Sequence, residues 1–572
     1  MSRSTGVLEA ALARWEHFGR PGLPDGGFHV SRLPGQSCRG LYRNGSNRPV
    51  YRPDGHILSW SPAPGGRHVA IQTAPRADED GTLVVVDTVL GVTAAFDDVH
   101  CRYDPMCWDG PTLLTLAARG RLSTTVDVTT GTIREEALPD GRWRHFTGGP
   151  NGLSTRSRPG GRTQIVRTDG RVVVAEAEAV RRVAPFAELV IVQDGSGLRA
   201  IDPSSGGRRW EWHDPDVNDL VFAASESHVL VAGTRRGRSV LIELHHGKPL
   251  REVHPADERG SLRVGGVSFD ESRFHVLIES PTRPPELVGF DELPCGSPDP
   301  DPADGAVTRW ISITADDDVE LSVAVTAPVG VTGPRPTILT VYGGFGVSAL
   351  PDFEPTVPTW LESGGTHAVA QVRGGGEHGR GWRIAGYGRH KRRAVDDLAC
   401  IARGLVAKGV TRPELLVIAG ASHGGVLAAA CGLGAPGICA GVVSTAAPLD
   451  LTSLDAHPLG SHWRAEFGAD GEDDDSLRSL SPLHRARSLT SPDGVPKFLG
   501  IVLGDDSRVA ECDTVRTVEA IRAVGADARV WICADAGHGH NHLDVAHRLG
   551  LAVLEFAAYA IGGRRPNDDA AE

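Results

Sequence analysis

Residues 415–430 read LLVIAGASHGGVLAAA. Four apolar residues, Leu415, Leu416, Val417 and Ile418, run into Gly420, Ser422, Gly424 and Gly425, and small helix-forming residues follow. The pattern predicts a strand, a sharp turn and a helix, with a serine at the apex. It fits the G-x-S-x-G elbow. Its glycines have a steric purpose, since a Cβ at either flank of so tight a turn would strike the neighbouring strand or helix. The turn lifts the Ser422 oxygen clear of the backbone and sets it at a helix start, where free N–H groups point outward.

A serine hydroxyl is a poor nucleophile without a base in hydrogen-bond reach and a third group to fix that base's tautomer. Behind this elbow the expected chain order is Ser, then Asp or Glu, then His. Residues 497–504 (KFLGIVLG) read as a buried strand ending at Asp505 and Asp506. Residues 529–534 (RVWICA) read as another, followed by Gly537-His538-Gly539. Each candidate lies just past a strand's C-terminal end, where open α/β sheets place their ligand sites. Ser422, Asp506 and His538 are therefore the expected nucleophile, orienting carboxylate and base, with Asp505 as the alternative acid.

At 572 residues the chain is too long for one core. Its 40% hydrophobic and 23% charged content is that of an ordinary globular protein. The net charge of −13 argues against a nucleic-acid partner, which selects basic faces. No apolar run approaches the ~18 residues of a membrane span, and residues 1–19 read as a short amphipathic helix rather than a signal peptide. The nine cysteines are scattered, without a C-x-x-C pair, which suits a reducing compartment. These features predict a cytoplasmic protein.

Residues 56–293 are expected to form a β-propeller. Short alternating runs recur as strand, polar turn, strand, acidic turn, with a period near ~40 residues, and six such units count out. Residues 294–309 read as a linker rich in Pro, Asp and Gly. Residues 310–572 alternate strands with helices, which means a mostly parallel, doubly wound sheet covered on both faces. Residues 1–55 are left as an N-terminal segment packing on that second domain. Helices are expected over 394–408, 519–524 and 545–561.

These motifs together resemble the prolyl oligopeptidase family of serine peptidases, an α/β-hydrolase domain with an N-terminal propeller. The resemblance covers roughly 310–560. It is carried by Tyr342-Gly343-Gly344-Phe345, Arg373-Gly374-Gly375-Gly376-Glu377, the elbow at 420–425, Asp506-Ser507-Arg508-Val509 and Gly537-His538-Gly539. It implies a peptidase that cuts short peptides after proline through an acyl-enzyme, and a propeller of seven blades. It selects Asp506, two residues before Arg508, as the acid. It makes the Tyr342 hydroxyl and the His423 backbone N–H the oxyanion donors, and Arg508 the group that binds a substrate carbonyl. Phe345, Trp463, Phe467 and Val509 would line the proline pocket.

Two departures stand out. His423 occupies a position usually held by a small residue or Asn, and Phe467 one more often held by Tyr. No cofactor is implied. His538, His540 and His542 have a spacing conceivable for zinc on an extended loop. No further ligand set converges nearby in sequence, so no metal is expected. The same triad would equally serve an esterase, an acyltransferase or a peptide macrocyclase. A non-catalytic propeller scaffold is the remaining reading.

Overall fold

The computed structural model describes residues 5–75, 79–117, 122–138, 142–146, 152–157, 163–167, 170, 172–177, 180–195, 197–296, 305–457, 460–468, 474–539 and 542–562. The N-terminal half is a seven-bladed β-propeller of antiparallel sheets. The first sheet is three-stranded (Phe28–Ser31, Gly40–Arg43, Pro49–Tyr51). Five four-stranded sheets follow, spanning 56–101, 106–137, 142–177, 180–213 and 217–253. The seventh is again three-stranded (Arg263–Asp270, Arg273–Ser280, Arg283–Gly289).

The blades repeat because their turns repeat. Asp87, Asp127 and Asp202 each open a D-x-x-x-G turn between the third and fourth strands of a sheet. Asp87 accepts from the N–H groups of Val89 and Leu90, Asp127 from Thr129 and Thr130, and Asp202 from Ser204 and Ser205. Gly91, Gly131 and Gly206 close the three turns at φ of 68°, 72° and 75°, which only glycine adopts freely. This is the acidic turn legible in the sequence.

The propeller begins earlier than expected. Phe28, Val30 and Leu41 of the first sheet share a core with Ile57, Val69, Ile71, Val84 and Val86 of the second, so the blades start at 28 rather than 56. Before that, α1 (Thr5–Glu16) packs on the second domain. Among the described residues the ring closes without a shared strand. Gly27 N–H and Asn44 Nδ2 donate to Asp270 Oδ2 at 3.2 and 2.8 Å, and Asn44 also reaches Glu271 at 3.0 Å.

The C-terminal domain is an α/β-hydrolase fold built on one eight-stranded sheet: β1 (Ala306–Thr314), β2 (Glu320–Pro328), β3 (Thr337–Val341), β4 (Thr366–Gln371), β5 (Leu416–Ala421), β6 (Gly441–Thr445), β7 (Lys497–Leu503) and β8 (Ala528–Cys533). Its order is β1-β2-β4-β3-β5-β6-β7-β8. The strands β1 and β2 run antiparallel and the other six are parallel to one another. The first strand starts inside the expected linker; residues 297–304 of that linker lie outside the described residues.

On one face, α3 (Arg392–Ala407), α4 (His423–Gly434) and α5 (Cys512–Ala523) pack on the sheet. The other face carries α1, Trp360 of α2 (Thr356–Glu362) and α6 (Leu543–Ala560). The helix α5 starts at Cys512 rather than 519 because Thr514, Val518 and Ile521, spaced i, i+4 and i+7, all turn inward. No helix among the described residues is long and apolar enough to cross a membrane.

Candidate active site

The strand β5 delivers Ser422 and α4 begins at the next residue. Ser422 has φ 54° and ψ −123°, a conformation that L-residues rarely take. It persists because the turn is packed from both sides. A Cβ on Gly420 would lie 2.2 Å from the Gly424 carbonyl oxygen, and one on Gly424 would lie 2.1 Å from that of Val341. These glycines let the elbow close.

The structure brings the three widely separated side chains together. His538 Nε2 lies 3.0 Å from Ser422 Oγ, and His538 Nδ1 lies 2.7 Å from Asp506 Oδ2. The other oxygen of Asp506 accepts N–H bonds from Arg508 and Val509 at 2.8 and 2.9 Å. Those bonds fix the carboxylate's orientation and draw its loop tight. The side chains of His538 and Asp506 are 7% and 4% exposed, so their interaction is little diluted by water. Asp505, the alternative acid, is exposed.

Tyr342 follows β3 and lies beside the elbow; its ring centroid is 5.8 Å from that of His423. Burial holds the Tyr342 phenol above its ordinary pKa, so it stays protonated and able to donate. Phe345, at φ 56°, sits at the tip of the same loop. Its ring meets His423 edge-on at 5.7 Å, Phe467 stacks on the His423 face at 5.1 Å, and Trp463 lies 6.4 Å from Phe467. Val509, Trp463 and Phe467 are buried. The expected pocket residues thus form one aromatic cluster next to Ser422. A cavity of about 400 Å³ between the N-terminal segment, the propeller and α6 is lined by none of them.

Residues 351–564 match the family model described as "Prolyl oligopeptidase family". Over this stretch the C-terminal domain is similar to the prolyl oligopeptidase family. A prolyl endopeptidase of Elizabethkingia meningoseptica is 28% identical over 268 residues, covering 45% of this chain and 37% of that protein. An uncharacterised peptidase of Sinorhizobium fredii is 29% identical over 297 residues, covering 48% of this chain and 41% of that protein. The chain thus spans about two fifths of the length of these curated relatives. Among solved structures, a prolyl endopeptidase superposes with a TM-score of 0.83 at 20% identity, over 98% of this chain and 92% of its own. Prolyl oligopeptidase B from Galerina marginata, bound to a 25-residue macrocyclization substrate, superposes at 0.80 with 19% identity, over 98% and 91%. At these identities the superpositions establish the shared propeller-plus-hydrolase fold.

Several residues around the site carry no signal in the sequence. Glu79, from the propeller, accepts from Arg508 Nε at 2.8 Å and is also bonded by Arg508 Nη2 and Arg102. Burial alone would raise its pKa, but the two guanidiniums outweigh it and hold Glu79 below the usual carboxylate range. The same bonds raise the pKa of Arg508. A lone Glu in a charged turn carries no sequence signal of such a role.

Lys391 and Glu466 form a buried pair at 2.6 Å beneath the Tyr342 loop. Glu466 also accepts the Phe345 N–H at 3.0 Å, and Lys391 reaches the Gly343 carbonyl at 3.4 Å. Beside the pocket, His457 donates to Asp513 at 3.0 Å through Nε2. Its Nδ1 accepts the Ala510 N–H, also at 3.0 Å, which braces the loop carrying Arg508 and Val509. Of the three histidines with metal-like spacing, His540 lies outside the described residues, and the His542 ring packs edge-on against His56 at 4.7 Å. Among the described residues no group of three or more His, Cys, Asp or Glu could hold a metal ion.

Proposed function

We propose that this protein is a serine oligopeptidase that hydrolyses short peptides, with a preference for proline before the cut. The observation that carries the reading is one imidazole bridging two partners, 3.0 Å from Ser422 Oγ and 2.7 Å from Asp506. In this reading His538 takes the Ser422 proton as Oγ attacks the peptide carbonyl. Asp506 holds the Nδ1–H tautomer and stabilises the imidazolium that forms. The His423 N–H and the Tyr342 hydroxyl hold the oxygen that gains charge. His538 then protonates the departing amine, leaving the acyl on Ser422, and the same base activates the water that releases it.

Proline specificity is supported by the aromatic cluster of Phe345, Trp463 and Phe467, with Val509, in which a pyrrolidine ring gains flat apolar contact and a charged side chain finds no partner. Arg508 supports peptides over simple esters, because its remaining donors suit a backbone carbonyl. The nine free cysteines agree with a reducing, cytoplasmic location, which cell fractionation checks.

A fluorophosphonate probe should label the protein, and Ser422→Ala should abolish the labelling. Asp506→Asn should lower kcat by ~10⁴, and Tyr342→Phe by ~10²–10³. Reporter peptides with proline, alanine or arginine before the cut, together with mass-spectrometric mapping of cut sites in a short-peptide library, test specificity. Preference for arginine overturns the proline assignment, and full peptidase activity in Ser422→Ala overturns the enzyme reading. Macrocyclisation is the second reading, favoured by the likeness to a Galerina marginata enzyme bound to a macrocyclization substrate. Cyclic products from a peptide longer than ~20 residues would support it; linear products alone would reject it.

A further inference from the structure

The side chain of His423 has no part in the chemistry above, which uses only its backbone N–H. Yet the ring is fully buried, at 0% exposure. Its Nδ1 lies 2.7 Å from the Tyr342 carbonyl oxygen. A carbonyl only accepts, so Nδ1 carries the hydrogen and Nε2 carries the lone pair. Nε2 has no hydrogen-bond partner among the described residues.

We propose that the His423 imidazole is a positioning residue that fixes the two oxyanion donors relative to each other. Its own backbone supplies one donor, and its ring holds the main chain of Tyr342, which supplies the other. The inference rests on the serine-peptidase reading above.

The surroundings are shaped for this ring. A Cβ on Gly344 would lie 2.5 Å from it, so the Tyr342 loop passes there only because residue 344 has no side chain. Phe467 covers the ring face at an interplanar angle of 16°, and Phe345 closes on it at 78°. Burial, reinforced by the nearby Lys391 charge, drives its pKa well below the ordinary value, so the ring stays neutral and its single donor stays committed to Tyr342.

Among the described residues three side chains pin the loop at 342–345: His423 at Tyr342 O, Lys391 at Gly343 O, and Glu466 at Phe345 N. Only the first pin comes from the helix that starts at the nucleophile. It is therefore the one that carries the elbow's position to the tyrosine. Moving one donor by about an ångström costs on the order of 10² in rate.

His423→Phe keeps the backbone N–H and an aromatic ring against Phe467, slightly larger than imidazole, and removes the Nδ1 donor. Its kcat should fall ~10–100-fold with KM changed less than about threefold, since the lost interaction acts on the transition state. A peptide boronate, which mimics the tetrahedral adduct, should lose affinity in parallel. In a Tyr342→Phe background, where there is no hydroxyl left to position, the same change should cost less than about threefold. Should the phenylalanine variant not fold, His423→Asn is compared in the same two backgrounds by boronate affinity. Equal losses in both backgrounds, or a loss confined to KM, overturn the proposal. Full activity in Ser422→Ala instead defeats the underlying reading, so the two failures are distinct.

Discussion

Glu79 of the propeller and Arg508 of the catalytic domain are joined at two points, Nε and Nη2, across the domain boundary. The arginine expected to meet the substrate is therefore aimed by the other domain. Glu79 is 1% exposed, whereas the Arg508 and Arg102 side chains keep 34% and 24% of their surface. Glu79→Ala removes one anion shared by two cations. Denaturant unfolding of the full chain should show a loss of about 1–3 kcal/mol, less than for a fully buried pair because both guanidiniums reach water. Peptide turnover should fall ~10-fold in kcat/KM, mostly through KM, as expected when a uniform binding contact is loosened.

A second buried carboxyl makes stability depend on pH. Glu377 is 0% exposed; one oxygen accepts the Ala349 N–H at 2.7 Å and the other has no partner among the described residues. Burial, with the nearby Asp219 charge adding to it, pushes its pKa up to about 8. Between the ordinary value of 4.5 and about 8 the folded chain holds a proton that the unfolded chain has lost. Stability from this group is complete below 4.5 and declines as pH rises to about 8, by at most about 1.4 kcal/mol per pH unit. Glu377→Gln, which stays neutral, should flatten that decline. Thermal unfolding of both proteins at intervals from pH 5 to 9 checks it.

Lys391 and Glu466 are 1% and 2% exposed in their side chains. Glu466→Gln leaves an ammonium buried without its anion and should cost ~3–5 kcal/mol. Adding Lys391→Met should recover part of that loss, because the stranded charge is gone. A denaturation midpoint for the double variant no higher than for Glu466→Gln would contradict this.

Trp463, an aromatic wall of the proposed proline pocket, stacks on His457 at 6.2 Å. Trp463→Ala should cut the ratio of proline to alanine cleavage by ~10–100-fold, the range that one lost apolar contact surface commands. Competition between two otherwise identical peptides reads the ratio directly.

The elbow was legible because glycines at 420, 424 and 425 encode steric closeness locally. The expected acid and base could be placed because each follows a largely apolar strand. Most strands and helices of the catalytic domain were legible through their apolar runs, but the strand Gly441–Thr445 and the order of the sheet were not. The first propeller sheet was not: its strands are three or four residues long and interrupted by Pro, Gly and Arg, too short for a period to emerge. Glu79, Glu377, Lys391 and Glu466 were invisible for a different reason. Each matters only through a neighbour far away in the chain, and a solitary charge looks alike on a surface and at an interface.

Among the described residues the propeller's ends meet through Gly27, Asn44, Asp270 and Glu271, and no strand of one end is woven into the other's sheet. Such a seam resists prying with side-chain hydrogen bonds rather than a full ladder. Under mechanical load or mild denaturant, the cylinder should split there first, exposing its bore before any single blade unravels.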